Sequence, residues 1–385
     1  MQVFRGVNSI RHMRPMLQDR NLQSVFMVTG KASYEASGAA AAIEQATTGL
    51  RTRRFCEFAV SPQLDDVLCG VQQFQEHPAD VILAVGGGSV LDMAKLIAGL
   101  AHQPQDASVY IIEQHPIEAD PLPIIAVPTT LGSGSEATHF AVVYVGGGKY
   151  SFADARLLPE TTILDPNLTM SLPPYLTAVT GMDALAQAIE SYWSVHSTDQ
   201  SKQYAREAIP LILNNLVNAV REPTLERCDA MMRAAHLAGK AINIARTTAC
   251  HSLSYAVTAH LNVSHGHAVA LTLGEMFVHN AAVSEADIND LRGVHYVRSV
   301  IAELCDLMSC AAASDVRDEI REIMAAIDLE ANPMALGMTE ALIDEMVTEV
   351  NAQRLANNPR QLPEQDARNM WLSVCHCGAR AHHAL

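Results

Sequence analysis

The order of strand and helix patterns along the chain is the feature that most constrains its fold. Before Pro166, short runs of β-branched and aliphatic residues alternate with amphipathic helix patterns, and after Pro166 strand-like runs nearly vanish. Strands that alternate with helices favour a parallel sheet with right-handed crossovers. The sequence therefore predicts an α/β N-terminal domain with a parallel sheet over residues 1–167, and an all-α C-terminal domain over residues 168–385. The strand candidates are Ser24–Thr29, a run within Leu50–Val60, Asp80–Val85, Ile124–Val127 and Phe140–Val145.

Helix patterns occupy much of the remaining sequence, and a length of 385 residues fits two domains better than a single core. Gly and Pro residues punctuate these patterns without forming a linker, which predicts a tight hinge near Asp165–Pro173. The patterns cover 33–46 and 64–76 in the first part, and 174–196, 199–220, 223–243, 247–259, 267–281, 286–311, 313–327 and 338–355 in the second.

The composition restricts the classes of partner. A net charge of −16 argues against nucleic acid as the main partner, whereas a small anionic ligand needs only one or two local basic residues. The eight cysteines are mostly scattered, no secretory signal or membrane-spanning run is found, and we expect a cytoplasmic protein with reduced thiols. Two cysteines and three histidines lie near the C-terminus and could bind a metal adventitiously, but a frayed helix end is favoured. They are Cys375, His376, Cys377, His382 and His383.

Four side chains of the second domain could share one divalent cation. Asp183 and Gln187 are four residues apart in a helix pattern and therefore lie on one face, and His251 and His265 follow later. Such a site with an open position is a Lewis acid for a carbonyl or alkoxide oxygen. The alternative is a solvated Asp and core histidines, since 16 histidines make chance pairs expected. Asp183 stands in an otherwise apolar segment and His265 precedes a Gly, which favours the metal site.

Two glycine-rich turns follow predicted strands in the first domain. Glycines let backbone amides approach a pyrophosphate, and a helix N-terminus favours its negative charge. Each turn alone has a simpler interpretation, a strand–helix turn capped by Ser89 or a plain loop. Two such turns at strand ends favour a shared nucleotide site, although the spacing is not GxGxxG. The candidate cofactor-binding residues are Gly86, Gly87, Gly88, Ser89 and Asp92 in the first turn, and Thr129, Thr130 and Ser133 in the second.

Several motifs in fixed order resemble the iron-containing (group III) alcohol dehydrogenases. They are GGGSVLDMAK, PTTLGSGSEATHFAVV, LLPETTILDPNLTMSLPP and TGMDALAQAIESYWS, and the resemblance continues to Asn358-Pro359-Arg360. It implies the dehydroquinate synthase-like fold, with an N-terminal nucleotide-binding domain, a helical metal-binding domain and a catalytic cleft between them. It also implies a homodimer and NAD(P)-dependent interconversion of an alcohol and an aldehyde or ketone.

The resemblance is carried over residue by residue to the metal site. Asp183, His251 and His265 match the family's ligand positions, but Gln187 stands where the family usually has a His. An amide oxygen is a weaker donor to transition metals, so we expect Fe²⁺ with lower affinity, and Zn²⁺ or Mn²⁺ as alternatives. Tyr255 occupies a position where many members have a His that is thought to relay protons. A phenol is a poorer proton shuttle near neutral pH, and His267 is the candidate replacement.

The residues after the first strand bear on the choice between NADH and NADPH. Many NAD-preferring members place an Asp there, which repels a 2′-phosphate, whereas this chain has Gly30 and Lys31. Loss of the negative charge and gain of a positive one should permit NADPH. The alternative is that Gly30 only shapes the turn, so both cofactors stay open.

The substrate is indicated by residues next to the predicted ligand His251. Arg246, Thr247 and Thr248 combine a guanidinium, two hydroxyls and a helix start, a good arrangement for phosphonate oxygens. Alternatively, Arg246 forms a surface or interdomain ion pair. The family places the segment of Lys149 near the active cleft, so Lys149 is a catalytic candidate. IARTTACHSLSY, SHGHAVAL and IESYWSVHST resemble the phosphonoacetaldehyde reductase branch of the family.

The expected function is metal-dependent, NAD(P)H-linked reduction of phosphonoacetaldehyde to 2-hydroxyethylphosphonate, or of the related phosphonopyruvate. The first alternative is a generalist reductase of small neutral aldehydes. A dehydroquinate synthase-like lyase shares the two-domain plan, but the DALAQAIESYWS and HGHA contexts favour the dehydrogenases. The missing His ligand also raises a non-catalytic binding protein as an alternative.

Overall fold

The computed structural model describes residues 1–350 and 355–381. His382 and His383 therefore lie outside the described residues, as do the side chains of His376 and Cys377. The chain divides into two compact units. The first is Met1–Leu172 with Thr224–His236, and the second is Pro173–Pro223 with Leu237–Leu385.

The first unit is built on a six-stranded parallel sheet. Its strands are β1 (Gln2–Arg5), β2 (Ser24–Thr29), β3 (Arg51–Phe55), β4 (Val81–Gly86), β5 (Ile124–Pro128) and β8 (Thr161–Leu164). Their order in the sheet is β1-β8-β5-β4-β2-β3. The predicted parallel α/β domain is thus confirmed. Strands β4 and β5 are neighbours, so the two glycine-rich turns that follow them start at the same edge of the sheet.

Helices cover both faces of this sheet because successive strand residues point to opposite sides. Phe26 and Ile82 face one buried apolar core, and their neighbours Val25 and Val81 face the other. The helices of this unit are α1 (Met13–Asp19), α2 (Ser33–Ala36), α3 (Ala39–Ala46), α4 (Leu64–Glu76), α5 (Gly88–Leu100) and α6 (Ala107–Ile111). Short 3₁₀ turns lie at Ser9–His12, Ser135–Ala137, Ala155–Leu157 and Pro166–Thr169.

Two local features of this unit differ from the prediction. The fifth strand candidate is a strand with the predicted bounds, β6 (Phe140–Val145), but it pairs antiparallel with β7 (Gly148–Ala153) outside the parallel sheet. The connecting Gly146 and Gly147 have φ values of 57° and 84°, which suit a tight two-residue hairpin turn. The helix predicted over 33–46 is broken at Gly38, whose φ is 76°.

The second unit is helical, as predicted. The helix predicted over 286–311 is shorter in the structure, where it covers Val294–Leu307. The last helix, Glu364–Ala381, was predicted only as a helix end near Cys375. Within the described ranges, no helix is both long and apolar enough to cross a membrane. The helices are α7 (Pro174–Trp193), α8 (Asp199–Arg221), α9 (Leu225–Ala245, whose first part belongs to the first unit), α10 (Ala249–Leu261), α11 (His265–Ala281), α12 (Val294–Leu307), α13 (Ala313–Ala326), α14 (Glu340–Thr348) and α15 (Glu364–Ala381), with a 3₁₀ turn at Pro333–Leu336.

Candidate functional site

The predicted metal ligands come from three helices of the second unit. Helix α7 carries Asp183, α10 carries His251, and α11 begins at His265. One donor atom from each of these three residues lies within 4.8 Å of the others. Gly266 explains how α11 comes so close to α7, because a Cβ at that position would overlap the carbonyl oxygen of Val179 and lie 2.9 Å from Asp183 Cβ.

The carboxylate of Asp183 fits a cation. Its Oδ1 lies 3.3 Å from His251 Nε2, yet no group in the described part of the chain donates a hydrogen bond to this buried oxygen. A buried acceptor without a donor is costly unless another ligand satisfies it. One carboxylate and two imidazoles form a donor set suited to a first-row divalent metal. We conclude that these residues fit the predicted ion.

Gln187 lies beside Asp183 on the buried face of α7. Its Nε2 donates a hydrogen bond to Asp183 Oδ2, with 3.0 Å between the two atoms. The amide nitrogen thus orients the carboxylate, and the amide oxygen is the atom of Gln187 that can coordinate a cation. All four predicted ligands therefore lie on adjoining helices of one unit.

Glu190 contacts the predicted ligand His251 but was not among the residues predicted from the sequence. It is fully buried, and its carboxylate faces Nδ1 of His251. Burial raises the pKa of Glu190, but His251 and the hydrogen bond from Thr248 outweigh burial and lower it. Burial likewise lowers the pKa of His251, but Glu190 and Asp183 reverse this and raise it to about 9. A charged residue in an apolar helix, three positions after Gln187, was the available signal.

The predicted substrate residues differ in what their side chains contact. Arg246 is exposed, has a left-handed φ of 62°, and its guanidinium has no hydrogen bond or ion pair with any described residue. Arg246 directly follows the last residue of α9, Ala245, and a left-handed residue is common just past the end of a helix. Thr248 is buried, and its Oγ1 donates to Glu190 and accepts from Trp193 Nε1. The carbonyl of Thr247 accepts from Asn357.

The two proton-relay candidates have different surroundings. The ring of Tyr255 stacks on that of His265, with 5.9 Å between ring centroids. His267 is buried, its Nε2 donates to the carbonyl of Glu330 at 2.7 Å, and burial lowers its pKa. Tyr255 is therefore the candidate in contact with a predicted ligand. Lys149 lies on β7 in the first unit, paired in register with Tyr144.

The two glycine-rich turns of the first unit touch each other. A Cβ on Gly87 would lie 2.9 Å from Thr130 Cγ2, and one on Gly88 would lie 3.0 Å from Ser133 Cβ. Helix α5 begins at Gly88, so its N-terminal amides face this region. Thr130 Oγ1 is buried and has no hydrogen-bond partner within the described ranges. The two turns fit a pyrophosphate.

The other predicted nucleotide residues have internal partners. Gly86 accepts at its carbonyl from the amide of Thr129, with 3.0 Å between the atoms. Ser89 Oγ accepts from the backbone of the segment before α4, at Ser61. Both carboxylate oxygens of Asp92 are used, one by Ser135 Oγ at 2.7 Å and one by the amide of Val142 at 3.0 Å. Asp92 thus stabilises the conformation of the chain after the second turn through these two hydrogen bonds.

The turn after β2 carries a surface ion pair. Lys31 Nζ lies 2.8 Å from Glu57 Oε2, and the two side chains are 73% and 66% exposed. A Cβ on Gly30 would overlap Ser33 Oγ, a side-chain atom that can rotate away. The guanidinium of Arg54 donates to the carbonyls of Gly30 and Lys31 and fixes the turn.

Comparison with known proteins gives consistent matches along the chain. Residues 1–166 match the family described as "Iron-containing alcohol dehydrogenase", and residues 177–374 match "Fe-containing alcohol dehydrogenase family, C-terminal". The chain is 34% identical to phosphonoacetaldehyde reductase of Streptomyces viridochromogenes over 319 residues, 78% of each protein. It is 33% identical to the probable alcohol dehydrogenase EutG of Escherichia coli over 282 residues, 72% of this chain and 71% of that one.

A solved structure of similar fold is that of sulfoacetaldehyde reductase from Bifidobacterium kashiwanohense in complex with NAD⁺. It superposes with a TM-score of 0.86, covers 97% of both chains and is 26% identical in sequence.

Proposed function

Since this chain belongs to the iron-containing alcohol dehydrogenase family, we propose that it reduces a small aldehyde carrying a phosphonate group. The enzyme class, a metal-dependent oxidoreductase that uses NAD(H), follows from the family. The substrate proposed first is phosphonoacetaldehyde, reduced to 2-hydroxyethylphosphonate with oxidation of one NAD(P)H and uptake of one proton. Phosphonopyruvate, which adds a carboxylate, is a related candidate.

Arg246 is the observation that carries the proposal. A neutral aldehyde needs no fixed cation, whereas a phosphonate needs donors in a fixed geometry, which a guanidinium supplies as a bidentate fork. Arg246 is exposed and lies two residues before Thr248, the N-cap residue of α10. The helix that follows this turn, α10, also carries the predicted ligand His251. The 34% identity with a phosphonoacetaldehyde reductase supports the same choice.

Each residue then has a definite task. A bound metal would supply Lewis acidity, held by Asp183, Gln187, His251 and His265, and the nicotinamide would supply hydride. Arg246 binds the anionic end of the substrate and thereby orients the aldehyde group. Tyr255 is the proposed proton donor to the product oxygen, because its ring stacks on that of His265.

A second candidate substrate, sulfoacetaldehyde, also carries an anionic group next to its aldehyde. Sulfoacetaldehyde differs from phosphonoacetaldehyde in its terminal group, and a structural relative is a reductase of that compound. A phosphonate carries more charge than a sulfonate near neutral pH and offers a stronger bidentate partner to Arg246. We therefore place phosphonoacetaldehyde first and sulfoacetaldehyde second.

Substitution of Arg246 tests the proposal. Arg246→Asn removes the charge but tolerates the left-handed backbone, and Arg246→Lys keeps the charge without the fork. We expect Arg246→Asn to lower kcat/KM for phosphonoacetaldehyde by about 100-fold, or ~2.7 kcal/mol, and Arg246→Lys to fall between it and the wild type. Propionaldehyde, which lacks an anion, should react nearly as before. Equal losses on both aldehydes, or no loss, would contradict the anchoring role.

A further inference from the structure

We propose that Glu190 is a positioning residue of the metal centre, whose two carboxylate oxygens hold the start of α10 and set the imidazole tautomer of His251. This inference rests on the metal site of the proposed function but not on the identity of the substrate. Glu190 lies on α7, three residues after Gln187, and is completely buried.

One oxygen of Glu190 caps α10 from a neighbouring helix. Oε1 accepts from Thr248 Oγ1 at 2.7 Å, from the Cys250 amide at 2.8 Å and from the Thr248 amide at 3.2 Å. The first amides of a helix have no partners within it, and the side chain of Thr248, the N-cap residue, makes no capping hydrogen bond. Glu190 therefore fixes the turn from which His251 projects.

The other oxygen of Glu190 determines which nitrogen of His251 can bind metal. Oε2 faces Nδ1, and a carboxylate can only accept, so Nδ1 must carry a hydrogen. In the neutral ring, the lone pair is then on Nε2, which is the atom 3.3 Å from Asp183 Oδ1. A carboxylate behind a ligating imidazole in this way fixes the tautomer and raises the basicity of the ligand.

The two roles can be separated by substitution. Glu190→Gln keeps a carbonyl oxygen to cap α10 but places an amide NH₂ opposite Nδ1. That amide would donate to Nδ1 and move the ring hydrogen to Nε2, where it opposes coordination. A flipped amide would instead direct its NH₂ at the Cys250 and Thr248 amides, which are themselves donors. Thr248→Val is the matched control, because it removes a hydrogen bond to Oε1 and leaves Oε2 unchanged.

The test measures Zn²⁺ affinity by chelator competition, together with the melting temperature of the metal-free protein. We expect Glu190→Gln to lower Zn²⁺ affinity by about 10- to 100-fold, and Thr248→Val to lower the melting temperature with near wild-type affinity. Wild-type affinity in Glu190→Gln, or an equal loss in Thr248→Val, would overturn the proposal.

A second measurement needs no variant. Long-range ¹H–¹⁵N correlation spectra of the zinc-loaded wild-type protein should show His251 protonated at Nδ1. Metal bound at Nδ1, with hydrogen at Nε2, would overturn the proposal even if Glu190→Gln failed to fold. Neither readout involves substrate, so failure of the phosphonate assignment would leave these results unaffected.

Discussion

The amide of Gln187 donates a hydrogen bond from Nε2 to Asp183 Oδ2, 3.0 Å away and one turn earlier on α7. Gln187, at the position where the family resemblance predicts a histidine, therefore orients the neighbouring carboxylate, and its amide oxygen is the predicted ligand atom. An imidazole at this position would be a better donor to a transition metal. It has no NH₂ group beside its metal-binding atom, so it would lose the hydrogen bond that Gln187 donates to Asp183.

Gln187→His should tighten metal binding. We expect the dissociation constant for Zn²⁺ to fall by about tenfold, or ~1.4 kcal/mol, because imidazole is the better donor for this ion. Gln187→Leu, which has no donor, should weaken binding in the same chelator competition. Weaker Zn²⁺ binding by the histidine variant would contradict this prediction. It would show that the hydrogen bond from Gln187 to Asp183 contributes more to affinity than the better donor atom.

Gly87→Ala should weaken nucleotide binding through a clash with the second turn. The new Cβ would lie 2.9 Å from Thr130 Cγ2, so the Thr130 side chain must shift or the two turns must move apart. We expect NADH affinity, measured by fluorescence titration, to fall by about tenfold or more. Thr130→Ser removes that methyl group, so the double variant Gly87→Ala/Thr130→Ser should regain most of the loss. A double variant as weak as Gly87→Ala would show that the clash is not the cause.

Glu57→Gln should shift cofactor preference towards NADPH. Lys31 is paired with Glu57, and because both side chains are exposed the pair contributes little and is readily broken. Removing the carboxylate leaves Lys31 to interact with a 2′-phosphate, so NADPH affinity should rise by about threefold to tenfold at low salt. NADH affinity should change little, and Lys31→Ala should have the opposite effect on NADPH. Equal changes for both cofactors would place the 2′ end of the nucleotide elsewhere.

His279 should make the second unit sensitive to acid. Its Nε2 donates to the Gln361 carbonyl, and burial together with Arg360 lowers its pKa. Below the ordinary histidine pKa of about 6.5, the unfolded chain binds more protons than the folded one, so the free energy of unfolding falls as pH decreases towards the lowered value. On acidification, we expect the melting temperature of His279→Gln to fall less than that of the wild type. His295→Gln, at an exposed position, should behave like the wild type; an equal fall in His279→Gln would contradict this assignment.

The sequence predicted those strands and helices whose residue pattern is contained within the segment itself. The buried strands β2 and β4 and helix α4 have continuous apolar or periodic patterns, and their bounds agree with the structure to within a residue or two. The four-residue strands Gln2–Arg5 and Thr161–Leu164 were missed because they pair across the length of the domain. The antiparallel hairpin was missed because two consecutive glycines were not recognised as its turn.

The candidate site was predictable where a residue type itself signals chemistry. The predicted ligands Asp183, His251 and His265 come together in the structure, and Gln187 lies against Asp183. Glu190 could not be assigned from sequence, because its partners lie about 60 residues away on another helix and nothing local shows that α7 and α10 are neighbours. Likewise, the internal contacts of Thr248 and Asp92 appear only once the helices and turns are assembled.

Substrate preference of the wild-type enzyme tests the central claim most directly. With Fe²⁺ and either NADH or NADPH, consumption of reduced nicotinamide would be followed with phosphonoacetaldehyde, phosphonopyruvate, sulfoacetaldehyde and propionaldehyde at equal concentration. We expect a phosphonate substrate to exceed propionaldehyde in kcat/KM by about 100-fold or more, or ~2.7 kcal/mol of differential transition-state binding. Equal rates with propionaldehyde would contradict the phosphonate assignment and leave a general aldehyde reductase.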